Sequence, residues 1–217
     1  MKINLGGIEL FYEKIGVGKP LLFLHGNGED HHIYDCLAKA LSTSFTLYLI
    51  DSRGHGKSTD TIELHYPDMA EDIYFFIKKL NLKEVSLFGF SDGAIIGLLL
   101  ASKYPNILIR MIVAGGNISP EGIKCHTLKN MKKEFAQSNS QFVKMMLDEP
   151  NITLFELDKI EIPTMIISGQ NDVIKRYHTK LIHRHIKNST LHILLNHTHD
   201  SYVSNSDYLK DLIAHFL

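Results

Sequence analysis

A serine flanked by glycines is the clearest candidate for a nucleophile in this sequence. Gly89, Ser91 and Gly93 form a G-x-S-x-G pattern between an apolar run at residues 85–88 and a helical run at residues 94–103. A nucleophile on a tight turn between strand and helix must adopt a strained backbone conformation, and the glycines leave room for both elements to approach. The pattern predicts that the hydroxyl of Ser91 is exposed at the positive end of a helix.

A serine hydroxyl needs a general base, and the base needs a group that orients it, because the unassisted hydroxyl is a poor nucleophile at neutral pH. On such elbows the partners follow the serine in the order carboxylate, then histidine. Asp172 lies just beyond an apolar run at residues 165–167, and His199 follows the last apolar run, at residues 191–195. Because α/β sheets place ligands at the carboxyl ends of their strands, we predict a catalytic set of Ser91, Asp172 and His199.

Short apolar runs alternate with segments of helical spacing along nearly the whole chain. The runs typical of strands buried on both faces are residues 21–24, 47–50, 85–88, 111–113, 165–167 and 191–195. The segments with helical spacing include residues 33–41, 69–80, 94–103 and 208–216. Residues 8–14 alternate apolar and polar side chains and predict an edge hairpin. The alternation predicts an α/β fold with a mostly parallel central sheet and helices on both faces.

Residues 118–162 break this alternation. They follow one predicted strand and precede the next, with methionine, phenylalanine and leucine side chains scattered among polar residues. We predict a single domain over residues 1–217 in which residues 118–162 form a small helical cap or lid. The apolar side chains of this insertion either wall a pocket or anchor the lid to the body.

Composition excludes several classes of function. The chain has 217 residues, 23 Lys plus Arg against 24 Asp plus Glu, and a formal net charge of −1, so it lacks the basic balance of a nucleic-acid-binding protein. The longest apolar run is far shorter than the 18 or so residues that suggest a membrane span. The N-terminus does not resemble a secretory signal, and two cysteines, Cys36 and Cys125, give no disulfide framework. These features favour a cytoplasmic protein without nucleic-acid or membrane partners.

No metal or cofactor is expected. The His-x-His pairs at residues 183–185 and 197–199 are too sparse for a zinc site, and no Cys cluster or H-E-x-x-H pattern accompanies them. Residues 16–20 contain two glycines and a lysine but match neither nucleotide-binding pattern, and they precede a strand.

Four motifs in order resemble those of the α/β-hydrolase superfamily over almost the entire chain. They are the His-Gly loop at residues 24–28, the D-x-R-G-x-G-x-S turn at residues 51–58, the elbow at residues 89–93, and the G-x-x-D loop at residues 169–172. The Ser-Asp-Gly elbow is most similar to small lid-bearing members, including esterase-like and valacyclovir-hydrolase-like proteins. The resemblance implies an α/β-hydrolase fold and no cofactor.

The resemblance also implies an oxyanion hole formed by the backbone N–H groups of Asn27 and Asp92. The carboxylate of Asp92 has two interpretations: it attracts a cationic group of the substrate, or it is held by nearby backbone or solvent. We favour the second.

Two histidines compete for the role of base, because residues 196–200 read Asn-His-Thr-His-Asp. The residues after His199 are similar to the helix entry that follows the family's catalytic histidine, which favours His199 over His197.

We therefore predict a serine hydrolase that cleaves an ester-like bond in a small molecule. A carboxylester bond is expected, with amide and thioester bonds as further options. The alternatives are a carbon–carbon bond hydrolase, a cofactor-free perhydrolase, and a non-catalytic small-molecule receptor. The oligomeric state is not indicated.

Overall fold

One central sheet organises the structure, a computed structural model that describes residues 1–61 and 63–217. Its strands are β1 (Lys2–Asn4), β2 (Glu9–Ile15), β3 (Lys19–Leu24), β4 (Phe45–Ile50), β5 (Ser86–Phe90), β6 (Arg110–Ala114), β7 (Thr164–Gly169) and β8 (Ser189–Leu194). Their order in the sheet is β1-β2-β4-β3-β5-β6-β7-β8. The pairs β1–β2 and β2–β4 are antiparallel and every other neighbouring pair is parallel. The predicted mostly parallel sheet with an edge hairpin is confirmed.

The helices connect the parallel strands. They are α1 (Asp35–Leu41), α2 (Tyr66–Lys79), α3 (Asp92–Lys103), α4 (Cys125–Ser138), α5 (Gln141–Asp148), α6 (Leu154–Asp158), α7 (Arg176–His185) and α8 (Lys210–Phe216). Among the described residues, no helix is both long enough and apolar enough to cross a membrane.

Successive side chains of the parallel strands enter two separate cores, because a strand points alternate residues to opposite faces of its sheet. In β3, Leu22 and Leu24 pack in the core shared with α2, α3, α6 and α7. Leu21 and Phe23 pack in the core shared with α1 and α8. All four side chains are fully buried. This is why these strands read as unbroken apolar runs in the sequence.

The insertion at residues 118–162 contains α4, α5 and α6. The first two helices pack on each other around a small apolar cluster that includes Met131 and Val143, and Ile174 from the body joins that cluster. Helix α6 instead packs on α3 and α7, where Leu157 is fully buried in the main core. Helix α6 of the insertion is therefore part of the main body, whereas α4 and α5 form a separate helix pair.

The sheet order reverses at β3, which has β4 on one side and β5 on the other. In open α/β sheets, ligands bind in the crevice that such a reversal leaves beyond the carboxyl ends of the strands. The loop after β3 carries Asn27 and the turn after β5 carries Ser91. The fold thus brings two of the predicted site residues to this crevice.

Candidate active site

Ser91 stands on a strained turn between β5 and α3. Its φ of 52° and ψ of −112° lie outside the regions that side-chain-bearing residues ordinarily adopt. Its N–H donates to the carbonyl of Ala114 at 2.8 Å, which fixes the turn to β6. A Cβ on Gly89 would lie 2.2 Å from the carbonyl oxygen of Gly93, and a Cβ on Gly93 would lie 1.9 Å from that of Leu24. The glycines are required by backbone contact, as the sequence pattern predicted.

Two consecutive hydrogen bonds connect Ser91 to His199 and His199 to Asp172. The Oγ of Ser91 lies 3.0 Å from Nε2 of His199, and Nδ1 of His199 lies 2.7 Å from Oδ1 of Asp172. The ring of His199 lies against Gly115, where a Cβ would approach Cε1 to 2.8 Å. The three elements that deliver these side chains end at the same edge of the sheet, which is why residues far apart in sequence meet.

Asp172 is held as a carboxylate. It is only 2% exposed, and burial alone would raise its pKa. The hydrogen bond and positive potential from His199, together with the N–H of Ile174 and the hydroxyl of Ser168, outweigh burial and lower the pKa below its usual value. A buried, ionised Asp172 favours the imidazole tautomer that carries its proton on Nδ1, leaving Nε2 free to accept a proton from Ser91.

His197 does not reach the serine. Its Nδ1 lies 3.0 Å from the hydroxyl of Ser201, and its ring packs on that of Tyr208 at 4.4 Å between centroids. Of the two candidates in the Asn-His-Thr-His-Asp segment, the structure brings His199 to Ser91.

Asn27 and Asp92, whose backbone N–H groups are the predicted oxyanion donors, both line the cavity next to Ser91. Within residues 1–61 and 63–217, neither group donates a hydrogen bond to another protein atom. Backbone donors are usually paired in folded proteins, so these two N–H groups are available to a bound molecule.

The carboxylate of Asp92 is held by two side chains. Its Oδ2 accepts from Nδ2 of Asn27 at 2.8 Å, and its Oδ1 accepts from the hydroxyl of Tyr66 at 2.8 Å. Burial raises the pKa of Asp92, and these two hydrogen bonds offset part of that rise. We expected backbone or solvent to hold this carboxylate. Instead, two side chains do so, one from the adjacent loop and one from α2.

His25 anchors the loop that carries Asn27. The Nε2 of His25 accepts from the N–H of Ser52 at 3.0 Å, and its Nδ1 lies 2.8 Å from the carbonyl of Gly26. Burial, together with the nearby ring of His55, lowers the pKa of His25 from 6.5 to about 4. The ring is therefore neutral, with its proton on Nδ1.

The D-x-R-G turn is structural. The carboxylate of Asp51 accepts from the N–H of His31 and that of Lys57, each at 2.9 Å. Arg53 makes a bidentate pair with Asp72 on α2, with distances of 2.6 and 2.7 Å. Asp51 and Arg53 therefore do not pair with each other and do not line the cavity.

A cavity of about 350 Å³ opens at Ser91. Insertion residues, including Met131 and Met146, supply part of its apolar wall. Four acidic side chains also line the cavity: Glu29, Asp92, Glu149 and Asp200. No lysine or arginine is among the described lining residues. A volume in this range suits a small organic molecule.

Like Asp92, Glu29 and Asp200 make no hydrogen bond to a basic side chain in the described part of the chain. Glu29 accepts from the N–H of Gly26 at 2.9 Å, and Asp200 accepts from the hydroxyl of Thr198 at 3.0 Å. Burial raises the pKa of Glu29, and the negative charges of Asp92 and Asp200 act in the same direction. Glu29 is not among the site residues predicted from the sequence, although its position directly after the His-Gly loop and two residues after Asn27 is a usable signal.

Glu149 joins the insertion to the body. Its Oε1 lies 2.6 Å from Nδ1 of His65, and its Oε2 accepts from the N–H of Tyr66 at 3.0 Å. The hydrogen bond to Glu149 raises the pKa of His65. Nothing in the sequence around Glu149 indicated this contact, because it depends on how the insertion packs.

Known proteins support the same fold and chemistry. A model of the alpha/beta hydrolase fold matches residues 19–131, and a model described as serine hydrolase (FSH1) matches residues 76–212. The chain is 27% identical to the serine hydrolase BPHL of Mus musculus and 28% identical to that of Homo sapiens, in each case over 100% of this chain and 85% of the relative.

Solved structures share the fold at lower identity. An esterase from Exiguobacterium antarcticum superposes with a TM-score of 0.85 at 20% identity, covering 97% of this chain and 96% of the esterase. A meta-cleavage product hydrolase from Pseudomonas fluorescens superposes with a TM-score of 0.84 at 17% identity, covering 100% of this chain and 96% of that protein. With both family models covering more than half of it, the chain belongs to the α/β-hydrolase family and is a serine hydrolase of that fold.

Proposed function

We propose that this enzyme hydrolyses small carboxylic esters through an acyl-enzyme formed on Ser91. The observation that carries the proposal is the line of hydrogen bonds from Ser91 through His199 to buried Asp172, at the floor of a cavity. Amide and thioester bonds pass through the same tetrahedral chemistry, although an amide has a poorer leaving group than an ester.

In the first half-reaction, Nε2 of His199 takes the proton of Ser91 as Oγ bonds to the ester carbonyl carbon. The carbon–oxygen π pair moves onto the carbonyl oxygen, which becomes an oxyanion. Asp172 stabilises the imidazolium that forms and keeps its ring in place. The oxyanion then re-forms the carbonyl and expels the alcohol, which leaves with the proton from Nε2.

The N–H groups of Asn27 and Asp92 hold the oxyanion. Within the described residues, neither N–H group has a protein acceptor, and both residues line the cavity beside Ser91. Donors that are already in place when the charge develops need no reorganisation in the reaction, and the loss of one such donor typically costs about 2.7–4 kcal/mol.

In the second half-reaction, a water molecule takes the place of the alcohol. His199 removes a proton from this water as its oxygen attacks the acyl carbon, and the same proton returns to Oγ of Ser91 when the acid leaves. The helices α4 and α5 act as a lid that limits substrates to what the cavity accommodates.

The charge lining the cavity favours neutral or cationic esters over anionic ones. Glu29 and Asp200 line the cavity that would hold the reacting carbonyl, and no lysine or arginine is among its described lining residues. In a site of reduced dielectric, an anionic substrate group next to these carboxylates is repelled more strongly than in water.

The first test is hydrolysis of short-chain p-nitrophenyl esters by the enzyme and by Ser91→Ala, with a fluorophosphonate probe as a label. We expect turnover and labelling in the enzyme and neither in the variant, whose fold is checked by circular dichroism. Activity or labelling retained in folded Ser91→Ala would contradict the proposal. Binding of a small ester with no turnover would favour the receptor alternative.

The second test compares three p-nitrophenyl esters of similar length: a neutral pentanoate, an anionic glutarate half-ester and a cationic 4-(trimethylammonio)butyrate. We expect kcat/KM to be lowest for the half-ester and to rise for it in Glu29→Gln and Asp200→Asn. The matched control is Asp207→Asn, which removes an exposed carboxylate paired with Lys210. An equal rise in the control would show that net charge, rather than the cavity, sets the preference.

A further inference from the structure

Three potential metal ligands lie together outside the catalytic cavity, and a fourth, Glu13, approaches one of them. Glu13 is on β2, and Asp30, His31 and His32 begin the 3₁₀ turn that precedes α1. One ligand atom from each of Asp30, His31 and His32 lies within 4.8 Å of the others. None of the four residues lines the cavity at Ser91.

His31 is buried with one ring nitrogen satisfied and the other not. Its side chain is 1% exposed, and Nδ1 lies 2.7 Å from Oδ1 of the fully buried Asp51. Among residues 1–61 and 63–217, Nε2 of His31 has no hydrogen-bond partner. The nearest carboxylate oxygen is Oε1 of Glu13 at 3.5 Å. A hydrogen on Nδ1 directed at Asp51 leaves a lone pair on Nε2, next to the oxygen of Glu13.

His32 repeats this arrangement at the surface. Its Nδ1 lies 3.2 Å from Oδ2 of Asp35, which again favours the tautomer with a free Nε2. The rings of His31 and His32 are 4.1 Å apart between centroids. A histidine that donates one N–H to a carboxylate and offers its other nitrogen is the usual form of a metal-ligating histidine.

We propose that Glu13, Asp30, His31 and His32 bind a divalent transition metal ion such as Zn²⁺. Two imidazole nitrogens and two carboxylate oxygens suit this class of ion. Ligands about 2.0 Å from a tetrahedral Zn²⁺ are about 3.3 Å from one another, close to the 3.5 Å between Nε2 of His31 and Oε1 of Glu13.

The ion would join β2 to the loop after β3. That loop also carries Asn27, so the metal would stabilise the body of the protein near the catalytic cavity without taking part in the reaction. The sequence does not predict this site, because Glu13 lies far from the two histidines along the chain and no spaced ligand pattern marks it.

The competing state is a doubly protonated His31 between Asp51 and Glu13, with no metal. The two states differ in what occupies the space at Nε2, a proton or a metal ion. Titration with Zn²⁺ separates them directly.

The experiment is isothermal titration calorimetry of ZnCl₂ into chelator-stripped, buffer-exchanged enzyme at pH 7.5, with thermal unfolding followed in parallel. We expect one equivalent to bind with a dissociation constant at or below about 10 μM and to raise Tm. Glu13→Gln and His32→Ala should each weaken binding by at least about tenfold and remove the rise in Tm.

Two further variants locate the ion. His215→Ala removes an exposed histidine elsewhere and should leave binding unchanged, whereas His199→Ala tests for Zn²⁺ at the catalytic histidine. The proposal is overturned if Zn²⁺ fails to bind, if binding survives in both Glu13→Gln and His32→Ala, or if it is lost only in His199→Ala. Ring ¹⁵N shifts showing a doubly protonated His31 in the presence of Zn²⁺ would also overturn it.

Discussion

Protonation of His25 should weaken the fold in mild acid. The folded-state pKa of this ring is about 4, against 6.5 for an ordinary histidine. Between these two values the unfolded chain binds one more proton than the folded chain, so the free energy of unfolding falls as the pH falls from 6.5 towards 4. Above pH 6.5 the contribution is fully present, and below pH 4 it is fully lost.

The size of the effect follows from 1.36 kcal/mol per pKa unit. From pH 6.5 to pH 5 the loss is about 2 kcal/mol, and at pH 4 it approaches about 3.4 kcal/mol. Protonation of Nε2 would also break the hydrogen bond that it accepts from Ser52. The carbonyl of His25 accepts from the N–H of Gly93 at 3.0 Å, so the disturbance should reach both the loop with Asn27 and the elbow.

The assay is urea unfolding followed by circular dichroism between pH 7.5 and pH 5 for the enzyme, for His25→Gln and for His215→Gln. Other groups also titrate in this range. Burial lowers the pKa of His178, which destabilises the fold in acid, and the Glu149 pair raises that of His65, which acts in the opposite sense. The difference between enzyme and variant isolates His25.

We expect His25→Gln to be less stable at neutral pH but to lose about 2 kcal/mol less than the enzyme between pH 6.5 and pH 5. His215→Gln should follow the enzyme. Equal pH slopes for the enzyme and His25→Gln, or an NMR titration of His25 near pH 6.5, would refute this account of the loop.

Four further substitutions test the site. Asp172→Asn should keep the fold but lower kcat about 10³–10⁴-fold with little change in KM, because the amide favours the wrong tautomer; steady-state kinetics on a p-nitrophenyl ester would measure it, and a loss below tenfold would contradict the role. His199→Ala should abolish the chemical step, whereas His197→Ala should change kcat by less than about threefold, and the reverse result would assign the base to His197. Gly93→Ala should destabilise the protein by about 3 kcal/mol or more, since its Cβ would collide with the backbone carbonyl of Leu24; urea unfolding at wild-type stability would contradict the packing argument.

The sequence predicted the sheet well because its buried parallel strands leave a simple signal. Six apolar runs correspond to β3–β8, and Ser91 lies on the predicted turn. It did not predict α7, whose buried face carries His178 and Thr179 beside Ile182. His178 is buried because its Nε2 accepts from the N–H of Ile118, so a polar side chain occupies a place where periodicity expects an apolar one.

The features of the site likewise divide into those that the sequence predicts and those that only the packed structure shows. Ser91, Asp172 and His199 could be predicted because each follows a recognisable strand, and strand ends share an edge. The partners of Asp92 could not, because the hydroxyl of Tyr66 reaches it from α2 and the amide of Asn27 from another loop. Such contacts depend on side-chain directions that only the packed structure determines.

The hydrogen bond between Asn27 and Asp92 has a consequence for how the enzyme can evolve. It joins residues 65 positions apart, and these are the two residues whose backbone amides we assign to the oxyanion. One side-chain contact that need not touch the substrate therefore sets the separation of the two amides. Substitutions that lengthen or shorten it could retune the enzyme towards transition states of different shape while leaving the nucleophile and its base unchanged.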